Sequence, residues 1–152
     1  MRRVILLLTV MAAALVVASG VALAANLNGT NRADTLVGTP RGDSLKGFGG
    51  GDTLRGKGSA DTLRGYAGND KLYGGYGDDT IYGGKGDDTT DGQAGTDTLI
   101  GGPGNDRIFD RSGNDNRIFA KDGQQDLICV AGGSGEIVSS DRQDRFIFNN
   151  SC

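Results

Sequence analysis

Ten aspartates recur at a spacing of nine: Asp34, Asp43, Asp52, Asp61, Asp70, Asp79, Asp88, Asp97, Asp106 and Asp115. A carboxylate is the strongest charged oxygen donor that a side chain offers, so a periodic row of them suits a hard cation. Calcium is such an ion, taking roughly six to eight oxygens from carboxylates and backbone carbonyls together. The carbonyls have an evident source. A Gly stands five residues before each of the first nine Asp, at Gly29, Gly38, Gly47, Gly56, Gly65, Gly74, Gly83, Gly92 and Gly101. Any single Asp in such a place serves well enough as a turn-forming, backbone-capping residue. Ten in register ask for a shared cause.

That cause needs elements to hold it, and the same period supplies them. Two residues after each of the nine Asp stand Leu36, Leu45, Leu54, Leu63, Leu72, Ile81, Thr90, Leu99 and Ile108. In the unit Gly74-Gly75-Tyr76-Gly77-Asp78-Asp79-Thr80-Ile81-Tyr82, the first six residues suit a tight turn whose backbone visits positive φ. The last three alternate polar, aliphatic and aromatic, a minimal strand with one side chain pointing inward. Two units make one coil of a flattened solenoid, with two parallel sheets closing on the aliphatic residues. Residues eighteen apart then stack, so Asp52, Asp70, Asp88 and Asp106 line one edge and Asp61, Asp79, Asp97 and Asp115 the other. Stacked carboxylates repel, and a divalent ion between each pair turns repulsion into attraction. With one aliphatic per nine residues the core is thin and the composition approaches that of disordered chains. The ion is therefore expected to stabilise the fold as well as to bind it.

The units resemble the hemolysin-type calcium-binding (RTX) repeat, Gly-Gly-x-Gly-x-Asp-x-aliphatic-x, best at residues 65–73, 74–82, 83–91 and 101–109. The resemblance covers about residues 29–120. It implies an all-β, right-handed parallel β-roll with several Ca2+ ions held between successive coils. Carried over residue by residue, the ligand carboxylates are Asp52, Asp61, Asp70, Asp79, Asp88, Asp97 and Asp106. The loop backbone contributes at Gly65, Gly68, Gly74, Gly75, Gly77, Gly83, Gly84, Gly86, Gly92, Gly95, Gly101 and Gly104. The chain departs from the pattern at five positions and in its N-terminal signal. Arg32, Arg41 and Ser59 replace the fourth-position Gly, which weakens the first two units most and leaves Asp34 and Asp43 outside the ligand set. Thr90 replaces an inward aliphatic. Asn116 is an insertion that shifts Arg117-Ile118-Phe119 out of phase, where the regular roll is expected to end. A cleavable N-terminal signal differs from the uncleaved C-terminal signal of many members and points to the general secretory route.

The termini set the compartment. Residues 1–24 read as a signal peptide: Arg2 and Arg3 precede an apolar stretch, and Ala22-Leu23-Ala24 fits a signal-peptidase site. The stretch approaches spanning length, but the Ala-x-Ala ending and the polar change at Asn26 favour cleavage, a secreted extracellular chain and no stable membrane anchor. No Cys near Ala24 suggests a lipid anchor. Without Arg2 and Arg3, 14 basic side chains face 19 acidic ones, a net charge of −5 that argues against a nucleic-acid partner. Residues 25–120 form the calcium-binding roll, and 121–152 carry degenerate repeats and a C-terminal cap. In that cap Asp126-Leu127-Ile128-Cys129 and Glu136-Ile137-Val138 are degenerate strands, and Arg145-Phe146-Ile147-Phe148 covers the open end. Cys129 and Cys152, the only two cysteines, are expected to form a disulfide in an exported chain, with two free thiols the alternative.

No catalytic reading survives. The chain has no His, which excludes a histidine triad and an imidazole zinc site. Gly51-Asp52-Thr53-Leu54-Arg55-Gly56-Lys57 mimics a phosphate-binding loop, but Gly58 stands where Ser or Thr must hold magnesium. Arg41-Gly42-Asp43 spells a cell-adhesion tripeptide only as positions four to six of a repeat. The leading expectation is a non-enzymatic, calcium-folded secreted module. The alternative is an extracellular adhesion or surface-interaction protein, for glycan or ice, in which calcium is purely structural. Its support is the outward Thr35, Thr53, Thr62, Thr80, Thr89 and Thr98, which Lys71, Arg107, Arg55 and Arg64 interrupt. No particular protein or glycan partner follows from the sequence.

Overall fold

A computed structural model describes residues 23–111, 115–130 and 137–148, so most of the signal segment, the 131–136 stretch and Cys152 lie outside the described residues. Fourteen short strands follow one another: β1 Asn26–Asn28, β2 Thr35–Val37, β3 Ser44–Gly49, β4 Thr53–Gly58, β5 Thr62–Ala67, β6 Lys71–Tyr76, β7 Thr80–Lys85, β8 Thr89–Ala94, β9 Thr98–Ile100, β10 Arg107–Asp110, β11 Arg117–Phe119, β12 Leu127–Val130, β13 Ile137–Ser139 and β14 Arg145–Phe148. Odd strands make one seven-stranded sheet and even strands the other, each strand pairing in parallel with the one two steps along. This is a parallel β-solenoid, as the period of nine requires. Among the described residues there is no helix.

Side-chain alternation places one residue of each strand inward. The odd sheet stacks Leu27, Leu45, Leu63, Ile81, Leu99, Ile118 and Val138 in register. The even sheet stacks Leu36, Leu54, Leu72, Thr90, Ile108, Ile128 and Phe146. From Leu45 to Ile128 every member of the two rows is completely buried. They form one continuous core a single side chain deep on each sheet.

Three expectations change. The central strands, β3 to β8, are six residues long rather than three. The first Gly-rich residues of each unit stay in the ladder, as Lys57, Gly75 and Gln93 do across β4, β6 and β8. The turn proper is confined to positions four to six. Second, the roll does not end at the Asn116 insertion. The extra residue is absorbed in the turn, and Arg117, Ile118 and Phe119 pair with Thr98, Leu99 and Ile100. The expected boundary at Ala120 therefore marks a decay of pattern, since β12, β13 and β14 extend the same two sheets. Third, Arg145–Phe148 is a strand, but it lies at the sheet edge with Phe146 37% and Phe148 71% exposed. It adds a strand at the open end, and cover over its own outer edge is not seen among the described residues.

Thr90 is a defect inside an otherwise apolar row. It is fully buried between Leu72 and Ile108, and its Oγ1 has no hydrogen-bond partner. A buried hydroxyl without a partner costs about 1–3 kcal/mol. Thr90→Val keeps the shape and removes that cost, so the calcium-loaded protein is expected to melt several degrees higher; an equal or lower midpoint in thermal unfolding would contradict this.

Candidate metal centre

Each repeated Asp from Asp43 to Asp106 sits at the end of a turn, one residue before its strand, and is tied to the coils on either side. Its backbone N–H donates to Oδ1 of the Asp one coil further on: Asp52 to Asp70 at 2.7 Å, Asp61 to Asp79 at 2.8 Å, Asp70 to Asp88 at 2.8 Å, Asp79 to Asp97 at 2.9 Å and Asp88 to Asp106 at 2.8 Å. Its carbonyl accepts from the residue that opens the strand of that next coil, as Asp70 O does from Thr89 N. The two expected edges are therefore real rows. One runs Asp34, Asp52, Asp70, Asp88, Asp106, Asp126, Asp144. The other runs Asp43, Asp61, Asp79, Asp97 and reaches Asn116 among the described residues.

Only Oδ1 is used in this way. Oδ2 of Asp52, Asp61, Asp70, Asp79, Asp88, Asp97, Asp106 and Asp126 is buried and has no hydrogen-bond partner. Such oxygens are rare, because a buried polar atom without a partner is costly. They also have company. A Cβ on Gly65 would overlap both Asp70 Oδ2 and the carbonyl oxygen of Gly83 in the next coil, and Gly74 stands in the same relation to Asp79 Oδ2 and Gly92 O. The same carboxylate overlap holds at Gly47, Gly56, Gly83, Gly92 and Gly101. Only Gly permits this approach of two oxygens to the chain.

The fourth-position glycines Gly68, Gly77, Gly86, Gly95 and Gly104 all have φ between +115° and +151°. Gly86 lies against the Gly68 carbonyl and Gly104 against that of Gly86, so these carbonyls stack along the edge. Gly75 and Gly84, at the second position, also take positive φ, of 123° and 122°. Among the described residues no three Asp, Glu, His or Cys side chains converge on one point. A site here would combine carboxylate oxygens with main-chain carbonyls, an all-oxygen set that fits a hard divalent cation and disfavours zinc or copper.

Burial acts on the same carboxyls. Removal from water pushes Asp61, Asp97 and Asp126 up to about 6, Asp79 and Asp88 up to about 7, and Asp106 up to about 8. The backbone N–H bond opposes each rise, and neighbouring carboxylates add to it: Asp97, Asp61 and Asp78 act on Asp79. Asp52 and Asp70 are raised for the same reasons.

The structure also shows which carboxylates stand apart. In the first two units the second residue is Thr, and its backbone N–H donates to the oxygen that is left over elsewhere. Thr30 N bonds Asp34 Oδ2 at 2.6 Å, and Thr39 N bonds Asp43 Oδ2. Asp115, expected on the second edge, is instead exposed at φ 62°, and Asn116 takes the stacked place. Asn116 Nδ2 donates to Asp110 Oδ1 at 2.6 Å, and Asp110 occupies the position that is Gly in the preceding units. Asp126 and Asp144 were missed, because two extra residues between Asp106 and Asp126 break the strict period. Asp126 followed by the aliphatic Ile128 was the available signal.

A family model described as the RTX calcium-binding nonapeptide repeat matches residues 28–63, 55–90 and 91–116, more than half of the chain. No curated protein matches the sequence.

The metal-free protein has a defined pH response. Carboxyls whose pKa is higher folded than unfolded favour folding when protonated, so their contribution is complete below about pH 4 and is lost as pH rises through 6 to 8. No His titrates in that window. In EDTA, β-structure measured by far-UV circular dichroism is expected to increase from pH 8 to pH 5.5. Calcium, which needs ionised carboxylates, should bind more weakly at the lower pH. Loss of β signal on acidification in EDTA would contradict the assignment of these shifts.

Proposed function

The chain belongs to the RTX calcium-binding nonapeptide repeat family, and we propose that it is a secreted, non-catalytic module whose roll folds around several Ca2+ ions. The observation that carries the reading is the run of buried Oδ2 atoms with no proton donor, each beside a Gly-rich turn. The ligands on this reading are Asp52, Asp61, Asp70, Asp79, Asp88, Asp97 and Asp106, with the turn carbonyls of the glycines named for them and with Asp126 added. Bound calcium supplies positive charge where the rows of carboxylates repel one another. The chain's own part is to bury the carboxylates, orient them through the Oδ1 bonds and exclude water.

Secretion rests on residues 1–24 and on the family's extracellular habit. A bridge between Cys129, buried on β12, and Cys152 would then stabilise the C-terminal coils by roughly 3 kcal/mol. The surface-interaction alternative gains little from threonine. Thr35, Thr53 and Thr89 share a row with Lys71 and Arg107, and Thr62, Thr80 and Thr98 with Arg117, so neither sheet offers a flat Thr lattice.

Linkage adds RT ln(1 + [Ca]/Kd) per site, about 1.4 kcal/mol at tenfold saturation, so several sites together can determine whether the chain folds. In EDTA at pH 7.5 the mature chain is expected to give a coil-like circular dichroism spectrum, converted to β by millimolar calcium. Asp79→Ala and Asp88→Ala should each lower the calorimetric calcium stoichiometry and raise the calcium midpoint of folding severalfold, whereas Asp34→Ala should do neither. A spectrum indifferent to calcium would overturn the proposal.

A further inference from the structure

On the outer face of the even sheet the ladder Lys57, Gly75, Gln93 has a gap at its centre, because Gly75 has no side chain. The gap opens into a groove of about 560 Å³ walled by Arg55, Lys57, Tyr73, Tyr76 and Gln93 and floored by the Gly74–Gly75 backbone. That volume is within the roughly 300–1,000 Å³ of small-molecule sites. Lys57 and Gln93 flank the gap at φ 92° and 71°, left-handed conformations that side chains with a Cβ rarely adopt. Phe48, Tyr66, Gly75 and Gly84 take positive φ at the same position of their units, so this conformation belongs to the coil and sets where the two side chains leave it.

The lining has a definite chemistry. The Arg55 guanidinium lies 5.3 Å from the Tyr73 ring centroid and is held there by cation–π attraction. Neither Arg55 nor Lys57 has an ion-pair partner among the described residues. Asp91, next to Tyr73 in the ladder, pairs instead with Arg111 at 3.3 Å. Two unpaired cations thus stand together on a chain of net negative charge. Beside them Tyr76 is 76% exposed, a flat apolar ring with a polar tip held in water.

From this lining we propose that the groove binds a short acidic saccharide. Its carboxylates pair with Arg55 and Lys57, and its sugar faces pack on Tyr73 and Tyr76. Arg offers carboxylate a planar, bidentate fork and Lys a point charge. The cleft takes a thin chain more readily than a flat protein surface, and the negative remainder of the molecule opposes an anionic membrane. The proposal rests on the calcium reading only through the order of the coil whose β6 strand floors the groove.

Calorimetric titration of the calcium-loaded protein with tri-galacturonate, and with its neutral methyl ester, tests it. The acid is expected to bind, the ester at least tenfold more weakly. Arg55→Gln/Lys57→Gln should weaken the acid at least tenfold, and Tyr76→Ala severalfold, with the calcium-induced β signal unchanged in each. The groove proposal is overturned by equal binding of the ester, by undiminished binding in the double variant, or by a folded β signal without binding. It is equally overturned if phosphatidylserine vesicles bind where the trimer does not. Trimer binding that survives EDTA, with β signal intact, supports the groove and removes the calcium reading instead.

Discussion

A carboxylate has two oxygens, and in the central coils only one of them has a protein partner. Oδ1 receives the N–H of the preceding coil and thereby sets the spacing of the stack, while Oδ2 is buried beside a glycine with no donor in reach. Burying an ionised group without a partner costs several kcal/mol, so a protein without a compensating charge shifts such a group toward its neutral form. The upward shifts along both edges are that response. A cation removes the conflict at its source. The Gly at each first position, the positive φ at the fourth and the close approach of carbonyls between coils all serve the same gathering of oxygens.

The beginning of the roll shows how a coil is closed by protein groups alone. Thr30 and Thr39 supply backbone N–H groups to Asp34 and Asp43, satisfying the oxygen that later units leave open. Further along the second edge, the insertion replaces a Gly and Asp pair with Asp110 and Asn116. There the Asn116 amide donates to Asp110 Oδ1 at 2.6 Å. The chain therefore has protein-closed turns near its beginning and unclosed ones in the central coils. This distribution argues that the ion belongs to the central coils, where no side chain offers a substitute.

Much of this was legible from the period of nine. The phase of Leu54, Leu72 and Ile108 defined one inward row, and the stacking of Asp52 on Asp70 followed from two units per coil. Strand length was hidden, because Gly47-Phe48-Gly49 reads as turn by composition yet stays in the ladder, where Phe48 stacks on Tyr66 with ring centroids 5.3 Å apart. Local propensity cannot reveal that a neighbouring coil will hold those residues straight. The insertion at Asn116 was read as an end because period arguments assume equal turns, whereas a turn absorbs one residue without disturbing the strands that it joins. Asp126 was lost to the same assumption. The role of Thr30 and Thr39 depended on which oxygen of a carboxylate is taken, a matter of geometry that spacing does not encode.

The central claim is that calcium occupies the space beside the unpartnered Oδ2 atoms. Anomalous diffraction from crystals of the calcium-loaded protein tests it directly. The account predicts ion peaks between successive coils, ligated by Oδ2 of Asp70, Asp79, Asp88, Asp97 and Asp106 and by turn carbonyls, with none at Asp34 or Asn116. Carboxylates in the central coils that face only protein donors or water, with no anomalous peak beside them, would contradict it.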